Sequence, residues 1–191
     1  MIKAILLAAG QSKRLKYENK LIKFYKNKPL INHSLETLVK SKINKIIIVL
    51  GYQSKIVKQI IKNNKKISFT INKKYKKGMS SSIKCGLKKV SNKDTGFIIV
   101  QSDMPHLKCS DVNKICNSIK KGKKLVHALV FNNKVGNPIG FNNVLKKKFS
   151  NLKGKYGAKF MVKRLTKETN FIRVSSELRF KDFDKKSDFR A

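Results

Sequence analysis

The chain has 191 residues, of which 40% are hydrophobic, so it is apolar enough for one packed domain and too apolar for a disordered chain. Its net charge of +36 would suit a nucleic-acid-binding protein, but 41 of the 46 cationic residues are Lys spread along the whole chain, and Arg is scarce. We therefore interpret the charge as a solvated basic surface, produced by a codon bias toward Lys, Asn and Ile, which attracts anionic ligands such as nucleotides without specific nucleic-acid binding.

The first predicted element is a strand at Lys3–Ala8 in the N-terminal apolar run. Six apolar residues, Ala4–Ala9, precede Gly10, whereas the apolar core of a secretory signal peptide needs roughly 7–15 residues. No later run approaches the roughly 20 apolar residues of a membrane helix. The three Cys are an odd number without metal-binding spacing, which favours reduced thiols. We therefore expect a cytoplasmic protein with no membrane partner.

Helices and strands alternate after this strand. The predicted elements are, in chain order, helix Leu30–Lys42, strand Lys45–Leu50, helix Ser54–Asn63, strand Ile67–Ile71, helix Ser80–Val90, strand Gly96–Gln101, helix Ser110–Lys120, strand Leu125–Phe131, helices Val144–Asn151 and Gly157–Leu165, and strand Phe171–Val174. Continuous apolar strands of this kind are typical of parallel strands covered on both faces. The pattern predicts a single Rossmann-like α/β domain over residues 1–191, with a mainly parallel twisted sheet and helices on both faces.

Ligands of such folds bind beyond the carboxyl ends of the strands, where three stretches carry candidate site residues. The first is LAAGQSKR at residues 7–14, whose small residues at positions 8–10 let backbone N–H groups approach a phosphate chain closely. It matches neither of the common glycine-rich phosphate motifs, because Gly10 stands alone. Since Arg14 and Lys20 add positive charge, we interpret the stretch as a nucleotide loop on a buried strand.

The second stretch is GMSSSIKCGL at residues 78–87, which indicates the start of a helix. Ser80 or Ser81 is a natural N-cap, and capping alone would explain the serine run. Helix N-termini also favour anions and hydrogen-bond acceptors. Both interpretations, a structural cap and a ligand-binding loop, stay open at this point.

The third stretch is FIIVQSDMP at residues 97–105. Of the ten carboxylates in the chain, Asp103 is the one that directly follows a strongly apolar strand. Magnesium prefers oxygen ligands, commonly one or two carboxylates together with substrate phosphates. We expect Asp103 to bind Mg²⁺, and the alternative is a turn residue before Pro105.

These stretches in this order, with NKL at residues 19–21, resemble the nucleotidyltransferase superfamily and most closely its molybdenum cofactor cytidylyltransferase family. GNPIGF at 136–141, GKYGA at 154–158 and DFDKKSD at 182–188 resemble that family's Gly-His-Pro, Gly-Asp-x-Gly-Ala and Asp-x-Asp-Thr-Pro-Glu-Asp segments. Ala9-Gly10 resembles this family, whereas the related molybdopterin guanylyltransferases usually carry two glycines there. The departures are Lys16 for Gly, Asn137 for His, Lys155 for Asp and Lys185-Lys186 for Thr-Pro, of which the last three lie in the part that would face the acceptor or shape the second metal position.

The resemblance implies transfer of CMP from CTP to the phosphate of molybdopterin in the molybdenum cofactor, with release of pyrophosphate. It implies Mg²⁺ as cofactor and, as a further partner, a molybdoenzyme that receives the product. Arg14, Lys20 and Asp103 would be catalytic, Asp103 and Asp184 would hold the metal, and Asn137 and Pro138 would shape the acceptor pocket. The implied nucleotide-binding residues are Leu7, Ala8, Ala9, Gly10, Ser12, Arg14, Lys20, Gly78, Ser80, Ser81 and Ser82.

Two alternative functions stay open. A sugar- or polyol-phosphate nucleotidyltransferase would share the fold and the first loop. A basic nucleic-acid-binding protein would instead need a continuous basic stripe with exposed aromatic residues. A strand-end cleft that holds Asp103 favours either enzyme over the binding protein.

Overall fold

The structure is a computed structural model that describes residues 1–15, 18–154 and 156–190. Lys16 and Lys155, two of the departures from the family pattern, lie outside the described residues. The strands are β1 (Ile2–Ala8), β2 (Phe24–Tyr25), β3 (Lys28–Pro29), β4 (Lys45–Leu50), β5 (Ile67–Ile71), β6 (Gly96–Gln101), β7 (Val126–Phe131), β8 (Lys134–Asn142) and β9 (Thr169–Arg173). The α-helices are α1 (Leu30–Lys40), α2 (Ser54–Gln59), α3 (Met79–Leu87), α4 (Cys109–Lys121) and α5 (Ala158–Arg164).

Seven strands form one sheet in the order β5-β4-β1-β6-β8-β7-β9, and β2 pairs with β3 in a separate hairpin. The pairs β1–β4, β1–β6, β4–β5 and β7–β9 are parallel, and β8 is antiparallel to both of its neighbours. The mainly parallel sheet is therefore confirmed. The chain leaves β1 toward β4 and β5 on one side and returns to β6 on the other, which makes β1 and β6 the switch point where open α/β sheets bind ligands.

Both faces of the sheet are covered by helices, as the sequence predicts. Ala4, Leu6 and Ala8 of β1 belong to the apolar cluster that also contains most of the buried apolar residues of α1, α2 and α4. Ile5 belongs to the opposite cluster, with the buried residues of α3 and α5. Successive strand residues point to opposite faces, so a continuous apolar strand contributes to both clusters. No helix in the described ranges is long and apolar enough to cross a membrane.

Strand β8 is the main element that the sequence prediction missed. It contains two glycines and Pro138, residue types that are depleted in strands. The β7–β8 register skips residues 137 and 138, since Ala128 pairs with Ile139 and Leu129 with Gly136. Pro138 therefore lies in a β-bulge, where a missing N–H removes no ladder hydrogen bond.

The ends of several elements also differ from the prediction. Helices α1, α2 and α3 end at Lys40, Gln59 and Leu87, each before the predicted end. The predicted helix at 144–151 is a 3₁₀ helix over Asn143–Asn151, and the last strand begins at Thr169. Hydrophobic periodicity continues past the last hydrogen-bonded turn, so it locates elements better than their ends.

Candidate active site

A cavity of about 430 Å³ opens at the carboxyl ends of β1 and β6. Its walls come from four segments that are distant in sequence: the loop after β1, the start of α3, the loop after β6, and the C-terminal segment around Asp184. The topology explains this meeting point, because two parallel strands whose connections run to opposite sides leave a crevice between their ends. The cavity is the candidate active site.

The loop after β1 forms one wall through Ala9, Gly10, Gln11 and Ser12. A β-carbon added to Gly10 would meet no atom of the described residues within 4 Å, so this glycine borders open space rather than packed protein. Ser12 has a positive φ of 51°, and its Oγ accepts a hydrogen bond from the Lys20 N–H at 3.1 Å. The loop is therefore tied to the backbone from which the Lys20 side chain extends.

Lys20 joins two carboxylates from different parts of the chain. Its Nζ lies 2.5 Å from Asp103 Oδ2 and 2.7 Å from Asp184 Oδ1, and it also donates to the Phe183 carbonyl at 2.8 Å. Arg14 pairs with the other carboxylate oxygen of Asp184. Two cations and two carboxylates thus form one network against the cavity.

Asp184 reaches this network because the C-terminal segment is anchored beside β6. The Phe183 N–H donates to the Asp103 carbonyl at 3.0 Å. The Phe183 ring is 1% exposed and packs edge-on against Tyr25, with ring centroids 4.8 Å apart. Asp188 accepts hydrogen bonds from the backbone N–H groups of Asp184 and Lys185 at 2.8 and 2.9 Å. These contacts hold the Asp184 carboxylate next to the loop after β6.

The environment of the Asp103–Lys20 pair shifts both pKa values. Burial raises the pKa of Asp103, and the positive charge of Lys20 acts against that shift. Burial alone would lower the pKa of Lys20, but the Asp103 and Asp184 carboxylates outweigh it and the pKa lies above its ordinary value. Lys20 is therefore firmly charged near neutral pH, which suits a group that binds anions.

The donor set fits a divalent cation that shares its coordination with a substrate. Asp103 Oδ1 is buried and accepts no hydrogen bond from another described residue. Magnesium takes oxygen ligands, and two carboxylates leave the other positions for phosphate oxygens and water. No group of three or more His, Cys, Asp or Glu residues in the described ranges has the geometry of a metal site.

The start of α3 differs from the prediction of a serine cap. Gly78 occupies the N-cap position with φ of 96°, a conformation that favours glycine, and no side chain caps the helix there. Ser81 Oγ donates to the carbonyls of Lys74 and Gly78, and Asn72 Nδ2 donates to the hydroxyls of Ser81 and Ser82. The Ser81 hydroxyl is therefore bonded within the protein, whereas Ser82 also borders the cavity.

The cavity brings together most of the candidate residues. Those that line it are Leu7, Ala9, Gly10, Ser12, Arg14, Lys20, Gly78, Ser82, Asp103 and Asp184. Ala8, Ser80 and Ser81 are not among its lining residues. Asn137 and Pro138 are not either, and they lie in the bulge of β8, where the antiparallel strand begins beside the end of β6.

Eight lining residues were not among the predicted site residues, although five of them lie within the stretches that the sequence analysis singled out. They are Gln11, Leu15, Leu21, Tyr75, Lys76, Met79, Gln101 and Ser102. Gln101 is the last residue of β6 and Ser102 follows it, so the rule that ligands lie beyond strand ends could have found both. Tyr75 lies in a short 3₁₀ turn, and Gly51 brings it close to the β1 loop, because a β-carbon at Gly51 would lie 2.7 Å from Ala9 Cβ and 2.8 Å from Tyr75 Cβ. No local pattern predicts that contact.

Several solved structures share the fold of this chain. Rv0371c from Mycobacterium tuberculosis H37Rv superposes with a TM-score of 0.86 at 19% identity, covering 99% of this chain and 95% of that one, and its manganese complex has a TM-score of 0.81. A nucleotidyl transferase from Methanothermobacter thermautotroptrophicus has a TM-score of 0.83 at 16% identity, over 100% and 94% of the two chains. A 4-diphosphocytidyl-2C-methyl-D-erythritol synthase from Anaerococcus prevotii has a TM-score of 0.77 at 14% identity, over 100% and 93%. The fold is thus one that nucleotidyl transferases use.

Sequence comparison identifies the family. Residues 4–169 match the model of the MobA-like NTP transferase domain, and the chain belongs to this family. The bifunctional protein GlmU of Buchnera aphidicola (subsp. Acyrthosiphon pisum, strain Tuc7) is 32% identical over 145 residues, which is 75% of this chain and 30% of that protein. The chain therefore spans less than a third of the length of this curated relative.

Proposed function

We propose that the chain transfers CMP from CTP to the phosphate of molybdopterin and releases pyrophosphate. The observation that carries the proposal is the cavity where a glycine loop, two cations and two carboxylates meet. Membership in a family of NTP transferase domains supports nucleotidyl transfer. The ordered motifs from the first loop to DFDKKSD support cytidylyl transfer to the molybdenum cofactor.

The proposed reaction requires the protein to position the substrates and to neutralise phosphate charge, and it requires no general base. An acceptor phosphate is already ionised at neutral pH, so it needs no base to become a nucleophile. The task is to hold the triphosphate in line with the acceptor and to neutralise phosphate charge. Residues 9–12 would hold the phosphates through their backbone, with Arg14 and Lys20 as the charged contacts. A divalent cation on Asp103 and Asp184, which we propose to be Mg²⁺, would add charge neutralisation when bound.

The cavity wall supports a preference for a pyrimidine base. Ala9 and Met79 both line the cavity, so the base region carries a methyl group and a long thioether side chain. The Met79 sulfur packs closely against Gly157, because a β-carbon there would lie 2.4 Å from it. A purine needs more space than a pyrimidine. Because contacts of this size discriminate weakly, we expect CTP to be preferred over GTP by about tenfold.

A second candidate is a sugar- or polyol-phosphate nucleotidyltransferase. It is favoured by the fold shared with the 4-diphosphocytidyl-2C-methyl-D-erythritol synthase, whose name describes a cytidyl group on a polyol. It is also favoured by Asn137 and Lys185, which depart from the cofactor family on the acceptor side. The two candidates share the nucleotide and differ in the acceptor.

Pyrophosphate release from each common NTP, with Mg²⁺ and one acceptor at a time, tests the proposal. The acceptors are molybdopterin, a sugar 1-phosphate and a polyol phosphate, and Asp103→Asn serves as the inactive control. We expect the fastest release with CTP and molybdopterin. Release with a sugar or polyol phosphate and none with molybdopterin would identify the second candidate. A folded protein that releases no pyrophosphate with any pair would refute nucleotidyl transfer.

A further inference from the structure

The Lys20 ammonium occupies the space between the two carboxylates to which we assign the metal. It lies 2.5 Å from Asp103 and 2.7 Å from Asp184, and the Phe183 carbonyl is its third partner at 2.8 Å. Three oxygen atoms from two segments thus surround one cation. A divalent ion held by the same two carboxylates, through either oxygen of Asp103, would lie close to this ammonium, and two cations at such a distance repel each other strongly.

The charges of the network balance before any metal arrives. Asp103 and Asp184 contribute two negative charges, and Lys20 and Arg14 contribute two positive charges. A free divalent cation would therefore enter a site that is already neutral, within a protein of net charge +36. A triphosphate brings the negative charge that the site lacks, and it offers Lys20 and Arg14 new partners.

The side chain of Lys20 is built to exchange partners while its backbone stays in place. The Lys20 N–H donates to Ser12 Oγ at 3.1 Å, which fixes the base of the side chain at the β1 loop. The flexible four-carbon stem of Lys lets the ammonium reach more than one position. Lys20, the β1 loop and both carboxylates line the same cavity. The ammonium can therefore pass from the carboxylates to a phosphate bound at the loop without rearranging the chain.

We propose that Lys20 is a built-in counter-ion that closes the metal position of the nucleotide-free protein, so that a divalent cation binds well only when a triphosphate draws Lys20 away. This inference rests on the proposed nucleotide site and adds an order of events to it. Nucleotide and metal are then coupled, and each tightens the binding of the other by the same factor. Lys20 acts here as a positioning residue for the metal in addition to its contact with phosphate.

The test measures Mn²⁺ binding to the nucleotide-free protein, by electron paramagnetic resonance of the free ion and by calorimetry. Lys20→Met removes the ammonium and keeps the length of the side chain, and Lys62→Met is the matched control at an exposed surface position. We expect Lys20→Met to bind Mn²⁺ about tenfold more tightly than wild type, a typical size for coupled sites. Lys62→Met should bind like wild type, and Asp103→Asn added to Lys20→Met should abolish the gain.

Equal or weaker Mn²⁺ binding by folded Lys20→Met would overturn the inference. If circular dichroism shows that this variant is unfolded, Lys20→Gln repeats the measurement with a neutral side chain that can still donate to the Phe183 carbonyl. Lys20→Arg keeps the charge and should bind Mn²⁺ as weakly as wild type. Because the probe is the metal alone, the result is independent of acceptor and base. A wild-type protein that releases pyrophosphate while Lys20→Met shows no gain would refute the counter-ion role and leave the proposed function intact.

Discussion

Replacing Phe183 by Ala should disable the site without touching any cavity residue. Phe183 is 1% exposed, and its ring contacts Tyr25, Phe189 and His106 with centroid distances of 4.8, 5.3 and 5.8 Å. Its backbone bridges the network, because its N–H donates to the Asp103 carbonyl and its carbonyl accepts from Lys20. The neighbouring residue in the chain is Asp184.

The size of the effect follows from this packing. A buried Phe→Ala change costs about 3–5 kcal/mol. Opening a short terminal segment costs less free energy than unfolding the whole protein. We therefore expect a loss of this size to let the segment from Lys181 onward open locally. Asp184 then leaves its pairs with Arg14 and Lys20. We expect kcat/KM for pyrophosphate release to fall by about 100-fold, which corresponds to about 2.7 kcal/mol of lost transition-state stabilisation.

Phe149→Ala is the matched control, because Phe149 is 0% exposed and packs edge-on against Phe97 and Phe141 in the cluster on the other face of the sheet. Urea unfolding should show that Phe149→Ala also loses about 3–5 kcal/mol of unfolding free energy, while kcat/KM of its folded form stays near wild type. Limited trypsin digestion should cleave the C-terminal segment in Phe183→Ala and spare it in Phe149→Ala. If Phe183→Ala kept wild-type kcat/KM and the same digestion pattern, the anchoring argument would be wrong.

Three further outcomes are expected. Asp103→Asn should unfold at nearly the same urea concentration as wild type and lose nearly all pyrophosphate release, and near-wild-type turnover would refute its role as metal ligand. Arg14→Ala should weaken CTP binding, measured by calorimetry, by at least about tenfold, whereas Lys62→Ala should change it little. Equal effects of the two changes would mean that CTP responds only to the overall positive charge of the protein and not to a specific contact with Arg14. His127 is buried, its Nε2 donates to Asn142 and its Nδ1 accepts from Ser118, and burial lowers its pKa. The unfolded state therefore binds more protons, so stability is complete above about pH 6.5 and declines below it. His127→Gln should flatten this decline in urea unfolding, and an unchanged slope would exclude His127 as its source.

The parallel half of the sheet was predictable because its strands are buried on both faces. The predicted strands Lys45–Leu50 and Gly96–Gln101 contain the uninterrupted apolar runs IIIVL and FIIV, and the structure gives both strands the predicted bounds. Strand β8 was missed because Pro138 lies in a bulge and both glycines are sites of close packing, where a β-carbon would lie 1.9 Å from Phe180 at Gly136 and 2.4 Å from Ile115 at Gly140. The sequence held one signal for this hairpin, the pair Asn132-Asn133, because Asn tolerates positive φ and both residues adopt it in the two-residue turn between β7 and β8.

The site was predictable where it lies directly after a strand and less so where tertiary contacts create it. Asp103 and Gly10 follow β6 and β1, so strand-end reasoning was enough to select them. Asp184 lies about 80 residues from Asp103 in sequence. It was selected through the resemblance to a known family, because no local pattern distinguishes it. Of the two interpretations of the serine run, the cap at Ser80 or Ser81 was wrong, because α3 begins at Met79 and Gly78 takes the N-cap position with a φ that favours glycine. Hydrophobic patterns predict which strands form, whereas the walls of a cavity depend on how distant segments meet.

The position of β5 at the edge of the sheet has a consequence for how copies of the protein behave toward one another. Its sequence, ISFTI, carries no charge, and Ile71 is 59% exposed, so it is the kind of strand that invites pairing with a second copy. Lysines flank it on both sides at positions 65, 66, 73 and 74, and the Lys58 ammonium lies over the Phe69 ring at 5.4 Å. Mutual repulsion of these cations keeps two such edges apart, in the manner of gatekeeper residues. We therefore expect the lysines around β5 to protect the protein from aggregation through this edge. Self-association should increase when high salt or a bound polyanion screens their charge.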